Sequence, residues 1–227
     1  MARPWKLLES VKTDEGALDL RQRGPRDFMI SVGGRVLMTS QHNRSEKSLA
    51  TLGCAPLKAN PAPRVLIGGL GLGYTLRAAL DVLPKKAKVV VAELTPQVVT
   101  WCRGPLAVLS DDSLADPRVE VVVGDVADRI RDVSGDAQRA RWDAILLDLY
   151  IGPGVDKKAA SDPLYGNNIL RHVKKSLAPR GVFAVWGEDP APPFEARVRR
   201  AGFDVQRHVV SGGGPRHVIV VGRATKG

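Results

Sequence analysis

A glycine-rich turn follows an apolar run that begins at residue 64. In the stretch RVLIGGLGLGYTL, Gly69, Gly71 and Gly73 alternate with leucine, directly before a helix-like pattern. Glycine lets a ligand approach the backbone, and the free N–H groups of a helix start attract anionic groups. The third glycine comes one position too early for the G-x-G-x-x-G turn of dinucleotide-binding sheets. The spacing therefore favours a nucleoside without a pyrophosphate, and the alternative is a tight turn without a ligand.

Acidic residues end the next three apolar runs. Glu93 lies 20 residues after Gly73, the spacing at which a carboxylate accepts hydrogen bonds from ribose hydroxyls. Asp125 either accepts from an adenine amino group or caps the next helix, and both roles are compatible. Asp148 is our candidate for holding or deprotonating an amine, and the alternative is a loop cap. The predicted cofactor-binding residues are Gly69, Gly71, Gly73, Glu93, Leu94, Gly124, Asp125, Val126 and Asp148.

A parallel sheet would bring these residues together. From residue 64 onward, Val-, Ile- and Leu-rich runs alternate with amphipathic helical patterns, which is typical of an α/β, Rossmann-like sheet covered on both faces. Such sheets bind ligands at the carboxyl ends of their strands, where the glycine turn and the acids lie. The last two runs, DVQRHVV and RHVIVVGRA, predict an antiparallel pair around SGGGP. The fold expected is a mostly parallel sheet of seven strands.

The first 60 residues have a different pattern. Short alternating segments over residues 17–39, with turns at Gly24-Pro25 and Gly33-Gly34, predict a small antiparallel sheet. A helix with Ser45 as its N-cap follows over NRSEKSLATLGCAPL. The proline-rich KANPAPR is the predicted boundary. We therefore expect a small N-terminal region over residues 1–60 and a nucleoside-binding catalytic domain over residues 61–227.

Composition limits the function classes. The chain of 227 residues has a net charge of +10, but its basic residues are scattered, which favours a solvated surface over a nucleic-acid partner. No apolar run approaches the roughly 20 residues of a membrane span, and no secretory signal core is present. Cys54 and Cys102 are isolated, so we expect reduced thiols and no metal site. These features predict a cytoplasmic protein without a membrane partner.

The chain resembles the class I S-adenosylmethionine (AdoMet)-dependent methyltransferase superfamily, and within it the spermidine/spermine synthase (aminopropyltransferase) family. The resemblance covers roughly residues 17–222 and rests on GGLGLG, VAEL, GDVAD, WDAILLDLYIGP and DPLYGNN. It implies the class I fold with a small N-terminal β region, a homodimer or larger assembly, and aminopropyl transfer from decarboxylated AdoMet to a polyamine. It also implies that Asp148 holds the attacking amine.

Departures from the family pattern change the expected chemistry. Gly71 stands where the family has an aspartate that faces the amine of the decarboxylated cofactor, and Ile151 stands where a second loop aspartate belongs. Ser48, Leu49 and Ala50 stand where the family has Tyr and Glu or Gln. These departures favour intact AdoMet and methyl transfer to a small amine or other small nucleophile. Polyamine aminopropyl transfer with decarboxylated AdoMet is the alternative, a non-catalytic nucleoside-binding protein is another, and RNA methylation is a weaker fourth.

Aromatic residues and one histidine are candidates for the acceptor site. Tyr150 follows Asp148 and either contacts the acceptor or sulfonium through its ring, as a second catalytic candidate, or packs in the core. Tyr165 stands where the family has an aromatic residue near the acceptor, and its alternative is also the core. Trp186, at the end of a strand, forms an acceptor wall or packs at the core rim. His42 either reaches the cleft or lies on the surface.

Overall fold

The structure is a computed structural model that describes residues 3–153, 160–211 and 216–225. Two sheets and six α-helices make up this part of the chain. The elements in chain order are β1 (Lys6–Thr13), β2 (Gly16–Gly24), β3 (Asp27–Val32), β4 (Arg35–Thr39), α1 (Arg44–Cys54), β5 (Arg64–Gly68), α2 (Tyr74–Val82), β6 (Lys88–Glu93), α3 (Pro96–Arg103), β7 (Val119–Val123), α4 (Val126–Gly135), β8 (Trp142–Leu147), α5 (Asn167–Ser176), β9 (Leu177–Gly187), α6 (Pro192–Arg200), β10 (Phe203–Val210) and β11 (His217–Ala224).

The larger sheet has seven strands in the order β10-β11-β9-β8-β5-β6-β7. Strands β5 to β9 are parallel to one another, whereas β11 is antiparallel to both β9 and β10. This confirms the predicted α/β fold with a mostly parallel seven-stranded sheet. The strand order reverses at β5, which lies between β6 and β8, and such a reversal opens a crevice at the carboxyl ends of the strands.

The central strands are buried on both faces, as their continuous apolar sequences predict. Leu66 of β5 packs into one core cluster, while its neighbours Val65 and Ile67 pack into the cluster on the opposite face. In β8, Leu146 and Leu147 alternate in the same way. Because helices cover both faces, the ends of the central strands are held rigidly under the predicted site.

The N-terminal sheet is an antiparallel meander of β1, β2, β3 and β4. Residues 17–39 form three of these strands, as predicted, but β1 was missed. This edge strand is mostly exposed, so its sequence KLLESVKT has no clear alternation of apolar and polar residues. The structure therefore adds a strand on the amino-terminal side of the predicted sheet.

Helix α1 links the two sheets, and the predicted cap of this helix is wrong. Asn43 occupies the N-cap position, while Ser45 is buried within the first turn and donates a hydrogen bond to the carboxylate of Glu46, at 2.7 Å. The helix packs against α2 and β9, beside the parallel sheet. Its first turn consequently lies close to the glycine turn between β5 and α2. The domain boundary at residue 60 stays a prediction.

One helix is shorter than its sequence pattern indicates. The stretch TPQVVTWCRGPLAVL predicts a helix over residues 95–109, but α3 ends at Arg103, because Gly104 breaks it and a short 3-10 helix follows at Ala107–Leu109. The antiparallel pairing of β10 with β11 is confirmed, although residues 212–215 of the predicted turn lie outside the described residues. Among the described residues, no helix is long and apolar enough to cross a membrane.

Candidate functional site

A cavity of about 280 Å³ opens at the carboxyl ends of the central strands. It is close to the lower end of the size range of small-molecule sites, which is roughly 300 Å³. Almost all of the predicted cofactor-binding residues line it, namely Gly69, Gly71, Glu93, Leu94, Gly124, Asp125, Val126 and Asp148. The residues selected from the sequence thus come together from four loops at one cavity, although their binding roles stay predictions.

Gly69 allows the loops after β5 and β8 to touch. Its backbone φ is +87°, and a Cβ atom there would overlap the carbonyl oxygen of Asp148. Gly73 is different, because it lies at the N-cap of α2 with a φ of +80° and faces Ser110, away from the cavity. Gly73 therefore does not line this cavity, and its predicted contact with the cofactor stays a prediction. Its role is to close the turn, where its N–H donates to the carbonyl of Leu70 at 2.8 Å.

Glu93 braces the glycine turn from the neighbouring strand. Only 8% of the residue is exposed, and its two carboxylate oxygens accept hydrogen bonds from the backbone N–H groups of Leu70 and Thr95, both at 2.8 Å. A carboxylate offers about four acceptor positions, so these two bonds leave room for hydroxyl donors. The structure thus adds a structural role to the predicted contact with ribose, which stays a prediction.

Asp125 caps helix α4, as one of its two predicted roles requires. Its side chain accepts a hydrogen bond from the N–H of Ala127 at 2.8 Å. The residue is exposed and lines the cavity, so the second oxygen faces solvent or a ligand. Nearby, Leu94 is 72% exposed at the cavity rim, whereas Val126 is buried. This edge combines an acceptor and apolar surface, which suits a flat heterocycle with an amino group.

Asp148 ends β8 and lines both this cavity and a smaller one beside it. Burial raises the pKa of its carboxyl group from 3.8 to about 7, and the negative charge of Glu46 contributes to the rise. The hydroxyl of Thr75 donates a hydrogen bond to the carboxylate at 2.5 Å, and this bond partly offsets the rise in the pKa. A carboxylate with a pKa near neutral pH is suited to general-base catalysis.

The smaller cavity, of about 80 Å³, contains an acid that sequence reasoning missed. Glu46 lines it together with Asp148, Gly71 and the aromatic ring of Tyr74. An acidic residue in the first turn of a helix ordinarily complements the helix dipole, so no sequence signal set Glu46 apart. Ser48, Leu49 and Ala50, where the acid was sought, do not line this cavity.

The four acceptor-site candidates separate into two that reach the cavities and two that do not. Tyr150 lines both cavities, with its hydroxyl 3.2 Å from a carboxylate oxygen of Glu15. Trp186 lines the smaller cavity, and its indole Nε1 is buried without a hydrogen-bond partner among the described residues. Tyr165 and His42 line neither cavity, so the structure does not bring them to this site, and their predicted acceptor contacts stay predictions.

The surroundings of Tyr165 and His42 explain why neither residue lines a cavity. Tyr165 is only 3% exposed, its hydroxyl donates to the carbonyl of Ile151 at 2.9 Å, and its ring packs edge-on against Phe194. It therefore holds the loop after β8 to the core, which was the alternative to the acceptor role. His42 precedes α1 on the exposed surface.

Burial raises the pKa of both thiols, at Cys54 and Cys102, to about 12, which makes them unreactive.

Known proteins similar to this chain share its sequence pattern and its fold. A polyamine aminopropyltransferase of Clostridium tetani is 29% identical over 136 residues, which are 60% of this chain and 44% of that protein. The crystal structure of spermidine synthase from Thermotoga maritima covers 96% of this chain and 72% of the other at a TM-score of 0.74 and 18% identity. A spermidine synthase in complex with the transition-state analogue AdoDATO has a TM-score of 0.72 and 19% identity, with the same coverage. No family model matches.

The chain is spermidine-synthase-like, with the class I methyltransferase-like fold. This confirms the resemblance stated from the motifs. The prediction of methyl transfer is wrong, because the related sequences are named polyamine aminopropyltransferases. Intact AdoMet likewise has no support, since the related sequences are named as aminopropyltransferases rather than methyltransferases. The chain spans half or less of the length of the curated relatives it matches, so the activity of the whole protein is a matter of proposal.

Proposed function

We propose that this chain transfers the aminopropyl group of decarboxylated AdoMet to an amine acceptor. One observation carries the proposal: the carboxylate of Asp148 lies beside the glycine turn, at the junction of two cavities, without an ion-pair partner among the described residues. A buried carboxylate without a cation is a favourable site for an ammonium ligand. The aminopropyltransferase relatives support the same chemistry.

The glycines of the larger cavity fit an adenosyl group. A Cβ atom at Gly124 would meet nothing within 4 Å and would stand in open space at the cavity wall. Gly71 likewise exposes its backbone to the cavity, and Met38 is its nearest neighbour. Leu94 and Asp125 provide an apolar surface and an acceptor at the same edge. These residues would hold the base and the ribose while leaving Asp148 free for the acceptor.

When bound, decarboxylated AdoMet supplies a carbon activated by the adjacent positively charged sulfur, which leaves as a neutral thioether. The nitrogen of the acceptor must approach this carbon from the side opposite the sulfur. Asp148 holds that nitrogen and accepts its proton, since a carboxylate with a pKa of about 7 is partly ionised at neutral pH. Thr75 fixes the orientation of the carboxylate. Most of the rate enhancement would come from positioning two ligands in one geometry.

Product analysis tests this function. The purified chain is incubated with decarboxylated AdoMet and putrescine, and mass spectrometry follows the formation of methylthioadenosine and of an amine larger by one aminopropyl group. Intact AdoMet is supplied in a parallel reaction. Aminopropyl transfer only from the decarboxylated donor supports the proposal. Nucleoside binding without transfer, or transfer of a methyl group, contradicts it.

The acceptor and the assembly belong to the same proposal. A small-molecule amine suits the space beside Asp148 and the ring of Tyr150, because both residues line the larger cavity as well as the smaller one. A homodimer is expected from the resemblance, and sedimentation of the purified chain would test it. The scattered positive charge gives no reason to add a nucleic-acid partner.

A further inference from the structure

The glycine turn leaves one charge of the proposed donor without a partner. Decarboxylated AdoMet ends in a primary ammonium on a three-carbon arm, and an ammonium in a cavity requires hydrogen-bond acceptors, preferably a carboxylate. Residues 68–73 contain only glycine and leucine. A Cβ atom at Gly71 would lie 3.4 Å from the sulfur of Met38, which is an ordinary van der Waals contact. A carboxylate for this ammonium must therefore come from another element.

The smaller cavity has the right size and position for the arm. Its volume is about 80 Å³, and Gly71, Asp148 and Tyr150 line it as well as the larger cavity, so the two are contiguous. An apolar cavity of about 150 Å³ holds a molecule of benzene. Half of that volume suits the three carbons and one nitrogen of an aminopropyl arm but excludes an adenosyl group. An adenosyl group in the larger cavity would direct its arm past Gly71 into the smaller one.

Glu46 is the second acid that lines this smaller cavity, beside Asp148. Its carboxylate accepts a hydrogen bond from the hydroxyl of Ser45 at 2.7 Å and forms no ion pair with a described lysine, arginine or histidine. The negative charge of Asp148 is near enough to interact with it. Two half-buried acids that face each other across a cavity repel, and a cation placed between them would relieve the repulsion.

The two carboxylates differ in position, which assigns them different partners. Asp148 lines both cavities and contacts the glycine turn, where the reacting carbon and the acceptor nitrogen must meet. Glu46 lines only the smaller cavity. Resting on the proposed function, we infer that Glu46 binds the primary ammonium of the aminopropyl arm of the donor. The side chain of Glu46 lies on α1, outside the glycine turn. From there it favours binding of decarboxylated AdoMet over AdoMet.

Calorimetric titration with three nucleosides tests this role. Decarboxylated AdoMet has the charged arm, AdoMet has the arm with an added carboxylate, and methylthioadenosine lacks the arm. For Glu46→Gln we expect affinity for decarboxylated AdoMet to fall by about 10- to 100-fold, the loss of one charge-assisted hydrogen bond, with affinity for methylthioadenosine unchanged. Glu46→Asp, which keeps the charge, should recover part of the loss. Glu120→Gln, on β7 and outside both cavities, is the matched control.

The outcomes separate this inference from the function on which it rests. An equal loss of affinity for decarboxylated AdoMet and methylthioadenosine would mean that Glu46 only supports the fold, which overturns the inference. An unchanged affinity for the decarboxylated donor with a raised KM for putrescine would assign Glu46 to the acceptor and overturn it as well. In both cases the wild-type chain still transfers the group. If the wild-type chain binds AdoMet more tightly than the decarboxylated form, the proposed function fails together with the inference.

Discussion

Replacing Asp148 by asparagine removes a carboxylate that the folded chain holds in an unfavourable environment. Burial and the charge of Glu46 raise its pKa from 3.8 to about 7, while the unfolded chain ionises near the ordinary value. Each pKa unit corresponds to about 1.4 kcal/mol. The ionised carboxylate therefore lowers the free energy of unfolding by at most roughly 4 kcal/mol, which is a large share of the stability of a domain.

The sign of the pH dependence is opposite to that of an ordinary ion-paired aspartate. Since the folded state binds this proton more tightly than the unfolded state, stability falls as the pH rises from about 4 to about 7 and stays low above that. Asparagine does not ionise. Asp148→Asn should therefore leave stability nearly unchanged at about pH 4 and increase it by up to roughly 4 kcal/mol at about pH 8. Aminopropyl transfer should be lost, because the amide cannot accept a proton.

Urea denaturation at both pH values measures the difference, with the exposed Asp204→Asn as a control that we expect to change stability by less than about 0.5 kcal/mol. Calorimetry with methylthioadenosine would check that the nucleoside site stays intact. A stabilisation of the same size at both pH values would show that burial of the charge is not its cause. A loss of stability at about pH 8, or unchanged turnover, would refute the reasoning about Asp148.

Three further changes test the surroundings of this carboxylate. Gly69→Ala should lower the free energy of unfolding by about 3 kcal/mol, whereas Gly34→Ala, with a similar positive φ of +81° and open space around it, should cost about 1 kcal/mol; thermal melts would give the difference. Thr75→Val removes the hydrogen bond that lowers the pKa of Asp148, so the basic form should appear at higher pH in the profile of kcat/KM, and Thr75→Ser should restore it. Asp125→Ala should cost about 1 kcal/mol through the lost helix cap, while Asp125→Asn should keep most of that stability; if both variants weaken nucleoside binding, the second carboxylate oxygen has the other predicted role.

The parallel sheet and most of its ligand-binding edge were predictable from sequence. Continuous apolar runs identify doubly covered strands, and the carboxyl ends of parallel strands must meet at one edge. Glu93, Asp125 and Asp148 end three such strands, so their convergence follows from topology without knowledge of any side-chain contact. Gly73 did not follow the rule, because a glycine in a turn serves either a ligand or the turn itself, and the sequence pattern is the same for both.

The second cavity was not predictable, because its walls come from different parts of the chain. Met38 of β4 and Glu46 of α1 reach the glycine turn only through the packing of the N-terminal elements on the parallel sheet. No periodicity encodes such a contact. Tyr165 also could not be placed from sequence. An aromatic residue with one polar atom fits an acceptor wall and a core position equally well, and only the contacts of its ring and hydroxyl in the structure distinguish the two positions.

Gly71 shows why an absent side chain is weak support for a change of chemistry. An ammonium requires a carboxylate oxygen within about 3 Å, and this requirement is spatial, so any element that reaches the same volume satisfies it. Met38 lies against Gly71, and Glu46 lines the same smaller cavity. In our proposal, Glu46 supplies from α1 the carboxylate that residues 68–73 do not contain. Preference between the two donors should therefore depend on residue 46 more than on residue 71, and restoring an aspartate at position 71 would bring a third negative charge beside two acids that already repel each other.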